Sequence, residues 1–285
     1  MTIKNSLTPL SRRGLVRTLA AIAVAPVLYA ALSAPAQAQT VDEIKRKGKV
    51  VVGIQGDNAP WGYVDSKGEQ LGFDADVAKL LAKDLGVQLE FVQLAVANRI
   101  PALTSGKVDV LVAVMGMYPD RAKAVQFSKP YSDNRVVLVA AKTTPIKTMQ
   151  DMSKFIIGTP RASAQDTQVT KLAPAGTEIR RFDDDAANIQ ALLSGQVQAV
   201  GANAFYVSRL NASAPDKYEV KLDFLRQWNG ICTRMGQKEW NAYINTFIDK
   251  IRGNGELAVV YKKWMGTAPP ADFPATLEGV PFAVN

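Results

Sequence analysis

The feature that most constrains this chain is an internal echo. Ile100, Ala102, Leu103, Ser105, Gly106 and Val108 recur in the same order and spacing as Ile189, Ala191, Leu192, Ser194, Gly195 and Val197. Each copy reads as a helix, a glycine stop and a buried strand, because glycine enters the left-handed conformation that ends a helix at no steric cost. A unit repeated once at long range predicts two α/β lobes of similar build. Phe155 to Thr159 also echoes Val50 to Ile54 at the head of its lobe.

Strands and helices alternate around the echo. Val50 to Ile54 reads as a first strand, and Gly72 to Gly86 as a helix with Asp74 as its N-cap and Val77, Leu80, Leu81 and Leu85 on one face. Leu89 to Val92, Ile100 to Ser105 and Val108 to Met115 then read as strand, helix and strand. This alternation predicts a parallel or mixed sheet covered on both faces. Trp240, Tyr243, Ile244, Phe247, Ile248 and Ile251 follow a helical period, as do Leu257, Val260, Tyr261 and Trp264, and these aromatics are expected in the core. Beyond Gly266 the chain is proline-rich and is expected to lie as an extended surface tail.

The N-terminus reads as an export signal. Basic residues precede an apolar run from Leu19 to Leu32, and Ala34-Pro35-Ala36-Gln37-Ala38 ends it as a cleavage site. The run is shorter than the roughly 20 residues of a membrane-spanning helix. Arg12-Arg13 fits a twin-arginine signal or an ordinary secretory one equally. Lys4, Arg12, Arg13 and Arg17 leave with residues 1–38, which lowers the +8 of the whole sequence to +4, too small an excess to argue for nucleic acid. Cys232 is the only cysteine, so no disulfide and no lipid anchor are expected, and the processed protein reads as free in the periplasm. No histidine occurs, which removes the commonest general base and zinc ligand. Binding, or carboxylate and arginine chemistry, is what remains, with no metal and no cofactor expected.

Several motifs together resemble the periplasmic solute-binding proteins of polar amino acid ABC importers, solute-binding protein family 3. They are Leu71 to Ala78, Ile100 to Asp109 with the preceding Asn98-Arg99, Pro119 to Lys123 with Phe127 to Tyr131, and Tyr261 to Gly266. Each is weak alone; their order and spacing are specific. The resemblance implies an α/β fold of two lobes, a mixed sheet in each, joined by two hinge crossings and closing on a ligand. It would divide the chain into a signal (1–38), the first part of lobe one (39–141), lobe two (142–229), and a return with the C-terminal tail (230–285). The crossings would lie near Val139 to Lys142 and Gln227 to Cys232.

The resemblance also implies site residues. Arg121 inherits the arginine that grips the ligand carboxylate, a role suited to a planar fork of donors. Ser163, Ala164 and Gln165 open a helix after a strand, where free N–H groups can receive an anion; Ser163 would serve as cap or ligand contact. Asn203 stands where relatives carry an acid for the ligand ammonium. Gly116 replaces a hydroxyl residue, and Val96 replaces an aromatic wall. Arg99 would suit a second acidic group on the ligand, or be an exposed helix residue. Asn58 and Trp61 would line the cleft, although Trp61 is equally suited to core. Arg161 is a second-rank candidate.

These readings predict a monomeric binding protein that captures a small amino acid or organic acid and docks on a membrane ABC permease. An exported dehydratase on the same fold is the enzymatic alternative, with Glu69, Asp57 or Asp133 moving a proton. A partner of a membrane sensor is the third.

Overall fold

The computed structural model describes residues 40–284, so the expected signal, residues 1–38, lies outside the described residues. Helix α1 (Val41–Lys47), boxed at its start by Thr40 and Glu43, leads through Gly48 into β1 (Lys49–Ile54). A small antiparallel sheet of β2 (Asp57–Asn58), β3 (Gly62–Val64) and β4 (Gln70–Leu71) follows. Then come α2 (Phe73–Leu85), β5 (Gln88–Gln93), α3 (Arg99–Thr104), β6 (Val110–Leu111) and α4 (Pro119–Ala122). The chain continues through β7 (Gln126–Ala141), β8 (Ile157–Pro160), α5 (Ala164–Leu172), β9 (Ile179–Phe182), α6 (Asp185–Leu193) and β10 (Ala199–Asn203). It closes with α7 (Tyr206–Ser213), β11 (Tyr218–Thr233), α8 (Lys238–Gly253) and α9 (Glu256–Met265).

The main strands run in the order β5-β1-β6-β11-β7-β10-β8-β9. The trio β5-β1-β6 at one end is parallel, and so is β10-β8-β9 at the other. Between them β7 and β11, 16 residues each, pair antiparallel and belong to both ends. The echo has a structural basis: α3 and α6 each stop before a left-handed glycine, Gly106 at φ 77° and Gly195 at φ 78°, and each hands over to a strand of its own parallel trio.

The long strands change neighbours midway. Val136 to Ala140 of β7 pair with β10, whereas Cys232 of β11 pairs with Leu111 of β6. Register shifts on β11 between Val220 and Leu222, Asp223 and Leu225, and Asn229 and Cys232 bend the ribbon on either side of this change. The first crossing expected at Val139 to Lys142 is therefore displaced. Val139 is paired with Val200 deep in the second half-sheet, because the apolar run Val136 to Val139 is core of that half and not the end of the first.

Burial follows the layers. Ile44, Trp61, Phe73, Trp240 and Phe247 fill one face of the first half-sheet, where α8 and α9 dock their apolar stripes as their period predicts, and Leu103, Leu111 and Phe127 fill the other. In the second half, Ile189, Leu192, Tyr206 and Leu210 lie on one face, and Met152, Ile157 and Val169 on the other. Asp74 is not the N-cap of α2. Gly72 takes that position at φ 123°, with Trp61 O only 2.3 Å from where a Cβ would stand, so no side chain fits. Asp74 sits in the first turn, buried, and accepts from Tyr131 Oη at 2.6 Å and from Val114 N at 2.9 Å.

The C-terminal tail beyond Gly266 runs without helix or strand over the first half. Val280 is its buried anchor, Gln126 Nε2 and Asn245 Nδ2 donate to its carbonyls, and Asp272 takes the Arg226 guanidinium bidentately at 2.7 and 3.0 Å. Among the described residues no helix is long and apolar enough to cross a membrane.

Candidate functional site

A narrow, part-open cleft with polar walls lies where the two half-sheets meet. The first half contributes Gln55 and Asn58 from the β1–β2 turn, Val96 and Arg99 at the start of α3, Val114, and Arg121 of α4. The second contributes Ser163, Ala164 and Gln165 at the start of α5 and Asp185 at the start of α6, while Asn134 and Gln227 come from the long strands.

Two guanidinium groups reach this cavity. Pro119 opens α4 with its fixed φ, which sets Arg121 one turn in. Arg121 Nη1 donates to Gly116 O at 3.1 Å and Nη2 to Ala162 O at 3.0 Å, so the side chain touches both halves, and the guanidinium lies 5.3 Å from the Tyr118 ring centre. Arg99 is buried, with Nε donating to Val96 O and Nη1 to Ala113 O and Val114 O. Burial, and then the charge of Arg121, pull the Arg99 pKa down to about 10, which leaves it cationic at neutral pH. Neither arginine forms an ion pair among the described residues. Val114, between them in the wall, holds φ 49°, a strained conformation for a β-branched residue. Asp74 fixes its N–H and Arg99 its carbonyl.

Opposite lie two helix starts. Ser163 caps α5 by accepting from Asp166 N at 2.9 Å and also lines the cavity, while Ala164 and Gln165, in the first turn, have N–H groups with no helical acceptor. At α6, Asp184 caps by accepting from Ala187 N at 2.7 Å, and Asp57 of the other half accepts from Ala186 N at 2.9 Å. Asp185 is left facing the cavity, where its carboxylate accepts from Gln55 Nε2 at 2.9 Å and from Tyr206 Oη. Burial, then the charge of Asp57, raise its pKa to about 6. Arg209 Nη2 donates to Asp57 O at 2.7 Å and Asn203 Nδ2 to Asn58 Oδ1 at 3.0 Å, so several direct bonds join the halves around the cavity.

The structure thus brings together Asn58, Arg99, Arg121, Ser163, Ala164 and Gln165 of the expected site residues, and leaves Trp61, Gly116 and Asn203 off the wall. Trp61 is packed edge-on against Phe73 and Phe205, because its ring completes the aromatic core under β3. Gly116 stands behind Arg121, where a Cβ would come within 2.6 Å of Gln227 Oε1 and 2.7 Å of Tyr118 Cε2. Asn203 spends its amide N–H on Asn58 and its amide oxygen on Phe205 N, so it turns away from the cavity. Arg161 is exposed beside Asp183. None of Glu69, Asp57 and Asp133 reaches the wall: Glu69 is exposed, Asp57 receives α6, and Asp133 holds Arg226. Gln55, Asn134, Asp185 and Gln227 line the cavity without having been singled out in the sequence. The run Asp183-Asp184-Asp185 signals a helix start, and nothing local tells which acid caps and which faces inward.

Residues 50–267 match the family model of bacterial extracellular solute-binding proteins, family 3. The chain belongs to this family. The chain is similar to the ABC transporter glutamine-binding protein GlnH of Bacillus subtilis, 28% identical over 81% of this chain and 86% of that protein. The crystal structure of a solute receptor for L-cysteine of Neisseria gonorrhoeae has a TM-score of 0.75 at 31% identity, covering 80% of this chain and 94% of that one. An ancestral amino acid-binding protein, AncCDT-1, described as a precursor of cyclohexadienyl dehydratase, has a TM-score of 0.73 at 30% identity over 79% of this chain and 99% of its own. These likenesses establish the two-lobed binding-protein architecture. Among the described residues no cluster fit for a metal occurs.

Proposed function

We propose that this protein is the substrate-binding component of an ABC importer, held outside the cytoplasm, that captures a small amino acid or organic acid by closing its two lobes. The observation that carries the reading is the cleft between the half-sheets with Arg121 and Arg99 on its wall and no acid in an ion pair with either among the described residues. A carboxylate can accept from the Arg121 fork and from the Ala164 and Gln165 N–H groups together, which joins one lobe to the other through the solute. Arg99 is placed to receive a second acidic group. The named relatives bind glutamine and cysteine, which supports an amino acid. The closed, liganded form is what a membrane permease would recognise, and the protein acts as a monomer without catalysis.

In this reading lobe one comprises residues 39 to about 134 and about 227 to 285, and lobe two the segment between, with the hinge at the partner change on β7 and β11. The three acids considered for proton transfer, Glu69, Asp57 and Asp133, lie off the cleft, and Asp185 is the acid that lines it.

The test is a melting-temperature screen of protein first unfolded and refolded to strip bound solute. At a concentration about 100 times the dissociation constant, binding adds roughly 2.7 kcal/mol, a shift of roughly 5–10 °C for a chain of this size. A shift with one or a few amino acids or small carboxylates, abolished in Arg121→Ala, is expected. Turnover of a dicarboxylate, or no shift with any of them, would overturn the reading.

A further inference from the structure

We propose that Asp185 receives the ammonium group of an amino acid in this cavity, a role that the neutral Asn203 cannot fill. The inference rests on the binding reading above and adds to it a residue and a requirement: the solute carries a cation as well as its carboxylate.

The first support is elimination around α6. Three acids stand in a row, and two are occupied elsewhere. Asp183 is exposed beside Arg161, and Asp184 caps Ala187. Asp57 from the other half takes the Ala186 N–H of that turn. Asp185 is therefore not needed to cap its helix, and it is the residue of the three that lines the cavity.

The second support is charge. Asp185 is 1% exposed, yet both of its bonds come from neutral donors, the Gln55 amide and the Tyr206 hydroxyl, and no salt bridge to it forms among the described residues. Arg209 and Arg99 act on it only through charge at a distance, and a buried carboxylate without a direct ion pair is costly unless something supplies one. Each carboxylate oxygen accepts more than one donor, so the bonds from Gln55 and Tyr206 leave capacity for an ammonium. Across the cavity the two arginines carry the opposite excess. Together the three charges complement a solute with two carboxylates and one ammonium, and the few apolar wall groups, Val96 and Val114, suit a small polar side chain.

The third support concerns Asn203. It donates to Asn58 and accepts from Phe205 N, carries no charge to balance an ammonium, and lies off the wall.

The experiment compares each bound amino acid with its desamino acid. Refolded protein is screened against the common L-α-amino acids. The best binder is then measured by titration calorimetry beside the carboxylic acid that lacks its amino group, for example L-glutamate beside glutarate, in wild type, Asp185→Asn and Asn203→Ala. Asp185→Asn is expected to weaken the amino acid roughly 10- to 100-fold, the range of a lost charge-assisted bond, and to leave the desamino acid within about threefold. Loss of discrimination in Asn203→Ala with none in Asp185→Asn would overturn the assignment while leaving the binding reading intact. Failure of every amino acid to bind wild type would overturn both.

A pH series on wild type gives the same answer without a variant. Asp57 and Asp184, Tyr206 and Arg209, and Arg99 surround Asp185, and of the carboxylates only Asp185 lines the cavity. Affinity for the amino acid is expected to fall between pH 7 and pH 5 by roughly tenfold, while affinity for the desamino acid holds. Equal loss for both would overturn the proposal.

Discussion

Replacing Asp185 by asparagine should make the ligand-free protein more stable at neutral pH, although the residue belongs to the binding cavity. Its pKa is raised from 3.8 to about 6, chiefly by burial. At about 1.36 kcal/mol for each pH unit, the ionised carboxylate costs the fold roughly 3 kcal/mol. The folded value lies above the unfolded one, so the favourable contribution is complete below about pH 4 and is lost as the pH rises through about 6. Asparagine is always neutral, and it escapes that loss. It offers one acceptor where aspartate offers two, so the Gln55 amide must turn, which takes back about 1 kcal/mol. The net gain is roughly 2 kcal/mol, or roughly 4–8 °C in melting temperature for a chain of this length. Asp74, raised by burial to about 7, shifts stability in the same direction but is common to both proteins. The assay is thermal unfolding of refolded wild type and Asp185→Asn at about pH 7.5 and about pH 5, where roughly a third of the difference should remain. A variant that melts below wild type by the same margin at both pH values would refute the reasoning.

Two further substitutions probe the scaffold. In Gly116→Ala the new methyl group would stand 2.6 Å from Gln227 Oε1 and disturb the carbonyl that holds Arg121, so solute affinity should drop roughly tenfold with a melting loss of only a few degrees, read by calorimetry and thermal unfolding. Trp61→Ala should cost roughly 3–5 kcal/mol of stability by opening a cavity beside Phe73 and Phe205, measured by urea unfolding; a loss confined to binding would restore Trp61 to the cleft.

The fold was largely legible because its strongest signals are periodic. The helix–glycine–strand echo located α3–β6 and α6–β10, and the stripes of α8 and α9 gave their length and their buried face. What failed were assignments that depend on partners distant in sequence. Val136 to Val139 reads equally well as the end of one lobe or the core of the next, and only pairing with β10 decides. Asp74 resembles an N-cap because a glycine at φ 123° that can start a helix leaves no chemical mark. In the site, Arg121 was readable from its motif and Arg99 from its unusual place before Ile100-Pro101. Asp185 was hidden in a run of three acids whose division of labour is set by Gln55, Asp57 and Tyr206, none of them near it in the chain.

The most direct measurement is a crystal structure of the refolded protein with the amino acid that raises its melting temperature most. The account predicts a closed cleft with the α-carboxylate on the Arg121 guanidinium and the Ala164 and Gln165 N–H groups, and the ammonium within about 3 Å of Asp185. An amino acid held elsewhere, or bound with its carboxylate away from Arg121, would contradict it.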